Sequence, residues 1–157
     1  MSDKGTMTTL QDIENSLPNG FHDALFRSCH LDFVARTASL ELDVCMGDSE
    51  SADSDERDRY ARAILLLDGL AFCEVQAPDP TYPFQESAAV LVDLSAPDPD
   101  HPVIKTLPND TFAGRFFITN WNSFIYVAAR HATLQWAPDQ TTPPRTSGQT
   151  DHRSTTG

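Results

Sequence analysis

The sequence has few basic residues, few cysteines and no long apolar run, and each shortage removes a class of function. Lysine and arginine together number 11 against 23 aspartates and glutamates, a formal net charge of -12. Sequence-independent binding to nucleic acid requires clustered cations that displace counterions from phosphate, so no nucleic-acid partner is expected. Apolar stretches such as Ala63-Ile64-Leu65-Leu66-Leu67 fall far short of the roughly 18 residues of a membrane-spanning helix, and no membrane association is expected. Met1 to Leu10 lacks the apolar run of a secretory leader, and the sequence reads as that of a cytoplasmic protein. Cys29, Cys45 and Cys73 have no CxxC spacing, which fits reduced thiols acting as small apolar fillers better than a disulfide framework.

Nucleotide and metal signatures are missing as well. There is no GxxxxGK[ST], no GxGxxG, no HExxH and no Gly-x-Ser-x-Gly, so no bound cofactor is expected. Cys29 with a remote histidine becomes a nucleophile candidate only with a cleft and a depressed thiol pKa.

What is present is a strand pattern. The length of 157 residues suits one core. Leu17-Pro18-Asn19-Gly20 is a turn. After it, Leu25, Cys29, Leu31 and Phe33 share one parity, and Ala38, Leu40, Leu42, Val44 and Met46 alternate with polar residues. These two runs predict an antiparallel hairpin across Val34-Ala35-Arg36, with Leu31 opposite Ala38 and Leu25 opposite Val44. That register puts Cys29 and Cys45 on opposite sides of the sheet.

Further strands are expected over Tyr60–Leu67 and, past the Asp68-Gly69 turn, over Leu70–Gln76; a helix over Glu56–Leu67 is the alternative. Two proline-rich connections, Ala77–Pro83 and Ala96–Pro102, bracket Glu86–Leu94, for which helix and strand both fit. Aromatic and β-branched residues between Phe112 and Trp136 favour strands. The sequence therefore predicts a mainly β fold, a twisted antiparallel sheet, curved or partly closed, with at most one or two short helices. Residues 1–16 read as a flexible segment in which Leu10 and Ile13 start a short helix at most. Residues 17–137 form one β-rich domain, and 138–157 a disordered tail.

Two sites suggest themselves. Asp48, Glu50, Asp53, Asp55, Glu56 and Asp58 crowd one polar segment without the spacing of a calcium loop; it reads as an exposed, mobile loop able to meet a basic protein. The alternative is His22 with Asp23, an acid–base or metal-binding pair, completed by Trp121 as part of a small-molecule or metal-dependent enzyme. The run Phe21-His22-Asp23-Ala24, the hairpin that follows, and the later Asn122-Ser123-Phe124-Ile125-Tyr126-Val127 resemble a set of small bacterial β domains that open on His-Asp. Some of these are classed as immunity proteins of contact-dependent, polymorphic toxin systems. The resemblance implies a non-catalytic protein that binds a toxin.

Overall fold

In the computed structural model, which describes residues 8–82 and 90–138, the alternating runs become strands. They are β1 (Ala24–Asp32), β2 (Thr37–Cys45), β3 (Tyr60–Asp68), β4 (Phe72–Val75), β5 (Val90–Ser95), β6 (Phe112–Ile118), β7 (Ser123–Ala129) and β8 (His131–Trp136). Every pairing is antiparallel, in one sheet of order β4-β7-β6-β5-β1-β2-β3-β8. The sheet is not closed into a barrel, for β4 and β8 are its end strands. Even so, β4 directly continues β3, and β8 directly continues β7, so two long bent stretches of chain pair along both their halves. At the corner, Gly69 takes φ +62°, a conformation that strains residues with a side chain. There Arg130 N donates to the Asp68 carbonyl and Ala71 N to the Ala128 carbonyl.

The hairpin register differs from the sequence expectation at one end. Leu31 faces Ala38 as predicted, but Leu25 faces Asp43 instead of Val44, because the ladder shifts between Phe26 and Ser28. Arg27 is the extra residue of this bulge. Ala24 and Phe26 therefore join the core before the bulge, and Cys29 and Leu31 after it. Phe33 is no part of that face: it stands at the hairpin tip, 81% exposed, beside Val34 at 97%. The tip is shaped by Asp32, whose carboxylate accepts the Val34 and Ala35 N–H groups at 3.0 and 2.8 Å.

The region from Tyr60 to Asp68 is strand, with all nine residues paired to β2, which settles the helical alternative against it. Of the ambiguous Glu86–Leu94 stretch, Val90 onward is strand β5; Glu86–Ala89 lie outside the described residues.

Inside the curve lies one core: Leu40, Leu42, Val44, Leu65, Leu67, Ile118, Ile125 and Val127 are fully buried, as is Phe21, whose ring meets Phe116 edge-on at 5.6 Å. Residues 1–16 were expected to stand apart as a flexible segment, yet Leu10–Ser16 form helix α1, with Leu10 and Ile13 buried in this core. A reciprocal capping box starts the helix, Thr9 Oγ1 accepting from Asp12 N while the Asp12 carboxylate accepts from Thr9 N. The packed region thus begins before residue 17. Residues 1–7, and the predicted tail from 139 onward, lie outside the described residues.

Candidate functional site

The acidic segment is folded. Ser54–Arg57 form the short helix α2, capped by Asp53, whose Oδ1 accepts from Asp55 N at 3.0 Å; Asp48 Oδ1 accepts from Glu50 N at 2.9 Å. The segment doubles back on itself: Asp48 N donates to the Glu56 carbonyl and Met46 N to the Arg59 carbonyl. Asn19 Nδ2 anchors its root, donating to the Gly47 carbonyl at 2.8 Å and the Cys45 carbonyl at 3.1 Å. Gly47 is pressed against the carbonyls of Glu56 and Arg57, so closely that a Cβ would overlap them. Two of the six acidic side chains are thus spent on shaping the backbone, while all six residues remain exposed.

Immediately after this segment the chain reaches a cleft of about 600 Å³, lined by Asp43, Met46, Tyr60, Ala61, Arg62, Trp136, Ala137 and Pro138. Tyr60 and Trp136 are 39% and 46% exposed, and aromatic residues of this kind are enriched at binding surfaces. Tyr60 also reports the local field. Partial burial pushes its phenol pKa above the ordinary value, and negative charge at Cys45, Asp23 and Asp58 adds to the shift.

Asp43 forms one wall and is 8% exposed. Burying a carboxylate is tolerable only with partners, and it has two: Arg27 Nε at 2.6 Å and Arg62 Nε at 3.2 Å. The bulge that displaced the hairpin register therefore has a use, since Arg27 is the bulged residue. Arg62 also approaches Glu41 at 3.5 Å.

His22 is held between two carboxylates, Nδ1 at 3.0 Å from Asp93 and Nε2 at 3.4 Å from Asp23. Asp23 sits at φ +56°, in the turn that leads into β1, which allows adjacent residues to face each other. Trp121 is elsewhere: it packs partly buried against the core from the β6–β7 turn, its carbonyl accepting from Asp79 N. None of the hydrogen bonds, ion pairs or ring contacts of His22 among the described residues reaches it, and neither His22, Asp23 nor Trp121 lines the cleft. Among the described residues, no group of three or more His, Cys, Asp or Glu side chains is placed to hold a metal ion.

No family model, curated protein or solved structure matches this chain. Among the described residues, no helix is long and apolar enough to cross a membrane. The functional reading therefore rests on the surface itself.

The hydrogen bond to Asp93, and then the charge of Asp23, raise the His22 pKa above that of a free imidazole. A group whose folded pKa is raised stabilises the protein fully below the unfolded value of about 6.5, and the contribution is lost as pH rises through the folded value. Both partners are well exposed, so the stability effect is small. The direct check is an NMR titration of the His22 ring, in which the midpoint of the Asp93→Asn variant is expected to fall toward 6.5; an unchanged midpoint would show that Asp93 does not hold the imidazolium.

Sequence reading named the acidic segment and the His22–Asp23 pair but missed the cleft between the strand ends. Tyr60 and Trp136 are far apart in the chain, and only the β3–β8 ladder, in which Trp136 faces Ala63, brings them to one place.

Proposed function

We propose that this protein is a non-enzymatic binding domain of immunity type, which grips a basic protein partner through the aromatic cleft and its acidic surround. The observation that carries this reading is that Tyr60 and Trp136, both exposed, line one cleft, with the Tyr60 phenol within electrostatic reach of Asp58 from the acidic segment and of Asp23 from the turn before β1. An exposed aromatic centre with a charged rim is the usual anatomy of a protein interface, the aromatics giving affinity and the rim giving partner choice and association rate. The folded acidic segment adds to this, since a rim that is already ordered loses less entropy on binding. The resemblance to immunity proteins points the same way, and the net charge of -12 suits a cationic partner. The enzyme reading built on His22, Asp23 and Trp121 lacks comparable support, because none of the three lines the cleft and Trp121 stands apart from the His22–Asp23 pair.

The test is capture of binding proteins from the native cells at low salt, followed by titration of the captured protein with intact and altered forms. Changing Asp53, Asp55, Glu56 and Asp58 to Ser is expected to weaken binding mainly by slowing association, and to flatten its salt dependence. Trp136→Ala is expected to weaken it about 30-fold, the effect of losing roughly 2 kcal/mol at an aromatic anchor. Equal binding by all three forms would refute the proposal.

A further inference from the structure

We propose that Cys29 and Cys73 form an oxidisable dithiol, which a hydroperoxide converts to an intramolecular disulfide linking β1 to β4. The two residues lie far apart in the sequence and belong to strands that are not neighbours in the sheet. Cys29 stands opposite Leu40 and Cys73 opposite Val127; paired residues share a face, and both of these partners are fully buried. Both cysteines therefore point to the inside of the curved sheet. They pack, partly buried, against the same core, near enough for each thiol to act on the ionisation of the other. Cys45 has a different environment: it lies opposite Tyr60 on the other face of β2, its sulfur 3.8 Å from Asn19 Nδ2.

The contact also divides the chemistry between the two sulfurs. The Cys73 S–H stabilises a thiolate on Cys29, lowering that pKa to about 7, while the same contact and burial push the Cys73 thiol up. In the proposed reaction Cys29 is the nucleophile and Cys73 the resolving thiol. The Cys29 thiolate attacks the terminal oxygen of the hydroperoxide; the O–O bond breaks and the departing alkoxide or hydroxide takes up a proton, leaving Cys29 as a sulfenic acid. The Cys73 sulfur then attacks the Cys29 sulfur, the S–O bond breaks, and the hydroxide leaves as water with the Cys73 proton. Two thiols and one hydroperoxide yield one disulfide, one alcohol or water, and one water. The loop closed by the new bond contains β2, the acidic segment and β3, so the modification would tether the end strand β4 across the core without touching the cleft.

The experiment treats the fully reduced, full-length protein with hydrogen peroxide, alkylates the remaining thiols and maps the peptides by mass spectrometry. The expected product is a Cys29–Cys73 linked peptide lacking two hydrogens, with Cys45 alkylated. In Cys73→Ser the reaction is expected to stop at a sulfenic acid on Cys29 that dimedone traps, and in Cys29→Ser no intramolecular link forms. Because either variant could be poorly folded, the unaltered protein supplies a second readout: the pH profile of Cys29 alkylation should have its midpoint below that of an ordinary thiol. A link through Cys45, an intermolecular dimer as the main product, or three free thiols under conditions that oxidise glutathione would each overturn the proposal.

Discussion

Phe116→Ala is expected to lower the unfolding free energy by about 4 kcal/mol, within the range for removing a buried aromatic ring. The ring is 1% exposed and meets Phe21 at 5.6 Å and 84°, an edge-on geometry favourable to the ring quadrupoles. Both sides of the core meet at this contact: Phe21 comes from the turn before β1, while Phe116 lies on β6 opposite Ile125. The void left by alanine would be walled by strands that are hydrogen-bonded on both sides and unable to collapse inward. For a domain whose total stability is about 5–15 kcal/mol, the loss is large. Urea denaturation is the check, with the midpoint falling and the slope unchanged. A loss under about 1 kcal/mol would mean that the site relaxes freely and that the ring does not organise the core.

Gly47→Ala is expected to have an effect nearly as large on stability and a larger one on binding. The new methyl would occupy the space of the Glu56 and Arg57 carbonyls, and backbone cannot swing aside as a flexible side chain can. The acidic segment has to lift from its root, stretching the Asn19 hydrogen bonds to Gly47 and Cys45, at a cost of about 3 kcal/mol, the upper end for overpacking. The altered protein keeps every acidic residue. If the segment must hold its shape to serve as the rim of an interface, Gly47→Ala should weaken partner binding as much as removing four carboxylates does. Hydrogen exchange over residues 48–58 should rise in parallel. Unaltered exchange together with unaltered binding would show that charge alone matters and that the folded segment is incidental.

Much of the fold could be read from the residues because period-two burial leaves a direct trace: the run Ala38 to Val44 alternates in sequence and lies buried on its even positions. The bulge at Arg27 left no such trace, since an inserted residue shifts the parity of what precedes it without changing which residues are apolar. Helix α1 leaves a weaker trace for another reason. The pattern Thr9-Leu10-Gln11-Asp12 is a capping box, but the helix carries only two apolar residues, Leu10 and Ile13, before it ends at Ser16. At the candidate site, the exposed carboxylates and the His22–Asp23 pair were legible as local clusters. Asp93 as a second partner of His22, the Tyr60–Trp136 cleft and the Cys29–Cys73 contact were not, because each joins strands whose neighbourhood is decided by topology and not by spacing.

The two bent stretches of chain that pair along both halves also shape how the protein must be made. β1, β2 and β3 follow one another in sequence and pair as adjacent hairpins, so a growing chain can assemble them early from local contacts. Their covering partners arrive late: β8 supplies the far side of β3, and β7 receives β4, only once the chain has been synthesised as far as Trp136. Until then the inner face, carrying Leu40, Leu42, Leu65 and Leu67, stands open to water beside unpaired strand edges. A nascent chain of this topology is therefore expected to expose apolar surface until its last strands are made, and to fold slowly, as long-range β pairing does.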